Sequence, residues 1–458
     1  MWIKSVKLEK IKCFENIELV FSPNPGSGSK ARPYRWVTLL GENGVGKSTV
    51  LQAIGLLLAG PEAAKELLPR PTGWVRDLSR PGKLTAQIHQ EEGDAGSYGS
   101  GKVIWKNFTY AYFVTGEQTV KVPLKGRKRQ KEETYTEPVL VEESTNLLSW
   151  LRVNAFASGN PGWFAVGYGP FRRLTRTSQI LIPSLDTPTR ASNFVTQFDE
   201  DRALNTFERW MVYLDFRRAK DPNDQEAQKM WSVGERAITR LLPGDVRIDK
   251  VTKTGLINFR INGQVVPTVN LSDGYRSVIA LVGDLIWRLL LTFPGMDDPT
   301  QASGVVLIDE LDIHLHPTWQ RSIADWLQNV FPHLQFIVAT HSPFVAIGAG
   351  EDALTLRFTK DGAGAFTVQQ VEDISTYDVD RVLRSPAFDL VSTYSPQIQE
   401  KIERYHQLRM RLPGLDPREK EMLEDLTRLM QKLQLLDERP EPGSLLDRVD
   451  RFLEENLP

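Results

Sequence analysis

The stretch GENGVGKST, Gly41 to Thr49, decides how this chain is read. It follows an apolar run, RWVTLLG, and opens KSTVLQAIGLLLAG, whose apolar residues suit a buried helix. Strand, glycine turn and helix form the context in which G-x-x-x-x-G-K-[ST] binds phosphate. Gly41, Gly44 and Gly46 allow backbone N–H groups to turn inward around phosphate oxygens, and the helix N-terminus adds its dipole. Asn43 and Thr49 are counted with the loop as nucleotide-binding residues. Lys47 is expected to reach the β- and γ-phosphates of ATP, and Ser48 to ligate Mg²⁺.

Far downstream, GVVLIDE ends an apolar run with Asp309 and Glu310. Acids at the C-terminal end of a buried strand lie where open α/β sheets bind ligands. Asp309 is expected to hold Mg²⁺, directly or through water, and Glu310 to act as general base on the attacking water. A second apolar run, LQFIVATHSPF, places His341 just past its end, where a neutral imidazole can hydrogen-bond a γ-phosphate. Between loop and acids lies NLSDGYRS, Asn270 to Ser277, a polar glycine turn ahead of the apolar helix SVIALVGDLIWRLLL.

The order GENGVGKST, LSDGYRS, VVLIDELDIHLHP, ATHSPF resembles that of ABC-type ATPases, and more narrowly the soluble SMC/RecF-like ATPases often called the AAA family. GYGPFRRL, DELDIHLHPTWQ and VLRSPAFDLVSTYSPQIQE are further similar to bacterial antiphage-defence ATPases. The Septu-type ATPase subunit is the nearest group, and the ATPases of PARIS and OLD-type systems share its head. The resemblance implies an α/β fold: a P-loop ABC-type ATPase head with a mixed β lobe, a parallel-sheet core and a C-terminal helical appendage. It implies a head over 1–375, with lobe I about 1–200 (strand and loop insertion 80–145), a helical segment 200–242 and lobe II about 243–375. Residues 376–458 then form a helical region for assembly or partner binding.

The resemblance also implies ATP hydrolysis in nucleotide sandwiches between protomers of a homodimer or higher homo-oligomer. The signature turn of one protomer would complete the site of the other, with Ser272 and the Gly274 N–H donating to the γ-phosphate. This turn departs from LSGGQ at Asp273, expected to point away from the triphosphate, and at Tyr275. His316 stands near the position of a cross-protomer contact. The implied partner is a separately encoded HNH-type nuclease, which the ATPase regulates. Competing readings are a RecF-like DNA-maintenance clamp and an ATP-stabilised scaffold with slow hydrolysis. The segment between Lys47 and Ser272 lacks the sustained heptads of SMC arms.

The remaining sequence sets bounds. The chain has 458 residues, 41% hydrophobic and 25% charged, with net charge −2, so bulk charge advertises neither nucleic acid nor membrane. A lone cysteine, Cys13, excludes an intrachain disulfide, and a reducing cytoplasm is the expected location. The apolar run Val278–Leu291 is interrupted by Gly283, Asp284 and Arg288, so no membrane span is expected.

IKSVKLEKI and ENIELVF alternate as a strand pair, and KLTAQIHQ, KVIWKNFTYAYFV and QTVKVPL read as separate strands. Gln87 is the candidate for a glutamine loop, or else a half-buried strand residue. Lys125, Arg127, Lys128, Arg129 and Lys131 suit either DNA backbone contact or a solvated hairpin tip. Arg172 and Arg173 suit a nucleotide phosphate, a protomer interface or a structural ion pair. Over 200–242, Trp210, Met211, Leu214 and Phe216 are expected to form an apolar helix face. In the tail, DPRE predicts a capped helix start at Asp416, followed by the stripe Leu423, Leu426, Met430 and Leu433.

Overall fold

The structure, a computed structural model, describes residues 1–23, 33–76, 80–90, 107–123, 132–142, 145–156, 163–172, 185–199, 204, 206–242, 244, 246–362, 364–390 and 392–433. Its strands are β1 (Trp2–Ile11), β2 (Phe14–Val20), β3 (Trp36–Gly41), β4 (Gly82–His89), β5 (Asn107–Pro123), β6 (Glu132–Glu142) and β7 (Ala165–Tyr168). There follow β8 (Val246–Val251), β9 (Ile257–Ile261), β10 (Gln264–Pro267), β11 (Gly304–Ile308), β12 (Leu334–Ala339), β13 (Leu354–Lys360) and β14 (Phe366–Val371).

Among the described residues the central sheet runs β14-β13-β3-β12-β11-β7, and all of its pairings are parallel except β13 with β14. The fold is therefore α/β with a parallel core. Side-chain alternation explains why its strands read as unbroken apolar runs. Val305 and Leu307 pack with Val37, Leu39, Ile54 and Leu57 on the face covered by the helix Lys47–Ala59. Val306 and Ile308 pack on the other face with Trp36, Trp210, Ile238, Ile286 and Leu327. Both faces are dry, so every position must be apolar.

An antiparallel sheet, β2-β1-β4-β5-β6, lies beside this core. Gln335, fully buried in β12, joins the two. Its side chain accepts from Ile3 N at 2.7 Å and donates to the carbonyls of Ile3 and Tyr34 at 3.1 and 3.0 Å. A smaller antiparallel sheet, β10-β9-β8, precedes the helix Asp273–Thr292.

Three local expectations change. FTYAYFV and QTVKVP form one strand, β5, with its register shift between Thr115 and Gln118; a bulge there breaks the alternation that made them look separate. Phe216 is 61% exposed, and Phe207 takes its place in the core with Trp210, Met211 and Leu214. Spacing i, i+3, i+4, i+7 from Phe207 defines that face. The helix after the polar turn of NLSDGYRS begins at Asp273, so Gly274 stands in its first turn.

The chain divides into two compact units, 1–382 with 386–388, and 383–385 with 389–458. In the second, the helices Pro396–Met410 and Pro417–Lys432 bury Tyr405, Leu408, Leu415, Leu426 and Met430 together. Asp416 and Glu419 form the reciprocal capping box, with Pro417 at the first helical position. Leu423 and Leu433 pack partly buried against the same cluster.

Candidate active site

β3, β12, β11 and β7 are neighbours in the sheet. Their C-terminal ends deliver the phosphate loop, His341, the two acids and the segment Gly169–Arg172 to one edge. A cleft of about 330 Å³ there is lined by Lys12, Cys13, Asn43, Gly44, Gly46, Lys47, Ser48, Thr49, Asp309, Glu310 and His341.

The loop's form follows from its glycines. Gly46 has φ +97°, and a Cβ on it would stand 2.4 Å from the Phe14 ring. Gly46 also caps the helix Lys47–Ala59 without a side-chain hydrogen bond. The cap therefore offers the first-turn N–H groups no side-chain acceptor, and Lys47, Ser48 and Thr49 of that turn line the cleft. Lys47 Nζ donates to the carbonyls of Gly41 and Glu42, each at 2.8 Å. Burial pulls its pKa down, while Asp309, Glu310 and Asp312 push it up.

Asp309 is buried and lines the cleft together with Ser48. Its Oδ1 has no partner among the described residues. Burial raises its pKa above the usual carboxylate value; Ser48 opposes this, Glu310 adds to it, and Arg172 and Lys47 oppose it. The Ser48 hydroxyl and the buried Asp309 carboxylate, with its orphaned Oδ1, are hard-oxygen donors that fit Mg²⁺. Glu310 has φ +46°, so the chain turns sharply as it leaves β11.

Sequence reasoning missed Asp312, although it sits inside the quoted DELD run. Its Oδ1 accepts from the Thr340 hydroxyl and, at 3.4 Å, from the His341 N–H. It thereby ties the turn after β11 to the turn after β12. Burial lowers the pKa of His341, Lys47 lowers it further, and Asp312 and Asp309 oppose both. The imidazole is thus biased towards its neutral form.

Lys12 and Cys13 were missed too, because nothing local marks the β1–β2 turn as part of a cleft. Lys12 Nζ lies 4.3 Å from the Trp74 ring centroid and donates to Gln52 at 3.3 Å. Burial lowers the pKa of Lys12 and raises that of Cys13.

Ser272 and Gly274 do not line this cleft. Ser272 is the N-cap of the helix Asp273–Thr292, yet its side chain makes no capping bond. A Cβ on Gly274 would stand 2.9 Å from the His314 carbonyl. Asp273 is exposed and pairs with Arg276 at 3.4 Å. Tyr275 meets Trp319 edge to face, with centroids 4.5 Å apart. His316 caps the helix Pro317–Val330 through Thr318 N, a structural part within its own chain.

Gln87 lies in β4, paired with Ser5 and Thr109, and does not line the cleft. Arg172 is buried beneath the acids and bonds to their backbone carbonyls. Arg173 and the basic run Lys125, Arg127, Lys128, Arg129 and Lys131 lie outside the described residues.

Residues 211–347 match the family described as "AAA domain, putative AbiEii toxin, Type IV TA system". The chain is 25% identical over 454 residues to the Septu protein PtuA of Bacillus mycoides, covering 98% of this chain and 53% of that protein. It is 43% identical over 103 residues to the "Retron Vc95 probable ATPase" of Vibrio cholerae, covering 22% of this chain and 20% of that protein. The chain therefore spans about half the length of the first relative and less of the second. The SMC head domain from Thermotoga maritima aligns with TM-score 0.41 and 17% identity, over 81% of this chain and 100% of that one. The chain is thus similar to a Septu protein and, over a shorter span, to a retron probable ATPase. Among the described residues no helix is long and apolar enough to cross a membrane.

Proposed function

We propose that this chain binds and hydrolyses ATP as the ATPase subunit of a bacterial antiphage defence complex. The observation that carries the reading is the shared cleft of Lys47, Ser48, Asp309, Glu310 and His341, drawn from three separate stretches of sequence. The likeness to the Septu and retron proteins supports the defence setting.

Residue roles follow from chemistry. Lys47 and the loop N–H groups bind the triphosphate. Ser48 and Asp309 hold Mg²⁺, which neutralises phosphate charge when bound. Glu310 takes the proton of the attacking water. His341, biased neutral, donates to or accepts from the γ-phosphate region without adding charge.

In this reading Ser272 and Gly274 serve the nucleotide of a second copy. Their absence from the cleft lining and the lack of a capping bond from the Ser272 side chain support that assignment. ATP then joins two copies, and its hydrolysis releases them. A separately encoded HNH-type nuclease is the effector so controlled, with the basic run 125–131 as a candidate DNA contact. The test is phosphate release together with native mass, for the parent and for Glu310→Gln. The expected result is turnover in the parent, with an ATP-dependent dimer trapped by Glu310→Gln. Parent protein that binds no ATP would overturn the reading. Stimulation by DNA without a nuclease partner would shift it to a DNA-maintenance clamp.

A further inference from the structure

Arg172 is buried with three carbonyl partners and no carboxylate hydrogen-bond partner among the described residues. One terminal nitrogen donates to Gly169 O at 2.8 Å and to Asp309 O at 2.5 Å. The other donates to Glu310 O at 2.8 Å. The fork thus spans the two successive carbonyls of the acid pair, at the point where Glu310 takes positive φ. A non-glycine residue resists that conformation, and carbonyls turned away from a ladder need donors. The guanidinium supplies these donors and stays charged at neutral pH, although burial lowers its pKa to about 10. Asp309, Glu310 and Asp312 all hold it up against that loss.

The base of the fork is itself anchored. Asp309 N donates to Tyr168 O at 2.9 Å, extending the β7–β11 pairing to the acid. The Tyr168 hydroxyl donates to buried Asp284 at 2.9 Å, and Asp284 belongs to the helix Asp273–Thr292. Donors, strand end and helix therefore fix where the segment Gly169–Arg172 stands.

We propose that Arg172 is a positioning residue for the hydrolytic site: its fork sets the Asp309–Glu310 turn, and so aims the metal-binding and proton-accepting carboxylates. This rests on the proposed ATPase reading. Lysine keeps the charge but cannot span two carbonyls with a planar fork. Alanine removes both.

The test uses the full chain carrying Arg172→Lys or Arg172→Ala, each checked for an intact thermal melt. Binding of a fluorescent ATP analogue is measured with and without Mg²⁺, alongside kcat and KM. Metal-free binding should stay within about twofold, because Lys47 and the loop are untouched, while the Mg²⁺ requirement and kcat should each worsen about 10- to 100-fold. Millimolar guanidinium should restore part of kcat in Arg172→Ala and none in the parent. Arg172→Lys folded, with parental kcat and Mg²⁺ dependence, overturns the proposal and leaves the ATPase reading intact. A parent without turnover, whose Mg²⁺-dependent nucleotide binding is nevertheless lost in the Arg172 variants, keeps the positioning role and sinks hydrolysis. If Arg172→Ala does not fold, Arg172→Lys alone decides.

Discussion

Ser48, in the first turn of the helix Lys47–Ala59, lies close enough to Asp309, at the end of β11, for its hydroxyl to lower the pKa of that carboxyl. The other Asp309 feature is an orphaned buried oxygen. A folded protein tolerates such an atom at a site where function outweighs stability.

That cost is measurable. The folded-state pKa of Asp309 is raised, mainly by burial, so the folded state holds its proton more tightly than the unfolded chain. Stability from this group is present below the unfolded value near 3.8 and is lost as pH rises through the raised folded value. Asp309→Asn removes the ionisation. In metal-free buffer it should melt above the parent at pH 7, by roughly 1–3 kcal/mol, with the gap closing as pH falls towards 4. The same variant should weaken Mg²⁺-dependent nucleotide binding about 10- to 100-fold. A gap that does not change with pH would show that Asp309 ionises freely.

How much of this was legible in the sequence depends on where each partner lies. Lys47, Ser48, Asp309 and Glu310 sit in contiguous runs whose strand-then-turn pattern is local. The parallel core was legible for the same reason: short, β-branched apolar runs such as GVVLI suit strands dry on both faces. Asp312 was not legible as a site residue, and Arg172 was legible only as a candidate for phosphate, interface or ion pair, not as a donor to the carbonyls of the acid pair. Their partners lie 28 and 137 positions away, at Thr340 and Asp309, and only the sheet order brings them together. Phe216 and Phe207 show the limit within one helix: composition suggests either, and the start of the helix decides the phase.

Lys47 is held by the carbonyls of Gly41 and Glu42, so its ammonium is already aimed along the loop. Lys47→Ala should reduce ATP affinity about 100-fold, the worth of one strong charge-assisted contact. Isothermal titration checks this. Affinity within threefold of the parent would place the triphosphate elsewhere.

The signature turn should act on another copy. Ser272→Arg should bind ATP normally and fail to hydrolyse it, because the blocked face is not its own cleft. A mixture with Lys47→Ala contains pairs that keep one intact composite site, so turnover should recover to about a quarter of the parent's at equal mixing. No recovery in mixtures shown by native mass to hold heterodimers would reject the sandwich. Gly274→Ala should mimic Ser272→Arg in milder form, since its Cβ would press on the His314 carbonyl.

Asp284 interrupts the apolar run of the helix Asp273–Thr292, yet it is fully buried. Arg288 donates to it at 2.6 Å, Thr206 at 2.7 Å and Tyr168 at 2.9 Å. Arg288 in turn donates to Asn193 at 2.6 Å. Two polar residues that break a hydrophobic pattern are therefore each other's partners, one helical turn apart. Asp284→Ala would leave the Arg288 guanidinium buried without its acid and should cost about 3–5 kcal/mol. Asp284→Ala combined with Arg288→Met removes both charges and should recover most of that loss. Chemical denaturation of the single and double variants measures the coupling directly. If the double variant is no more stable than the single, the acid is held for Tyr168 and Thr206 and the ion pair contributes little.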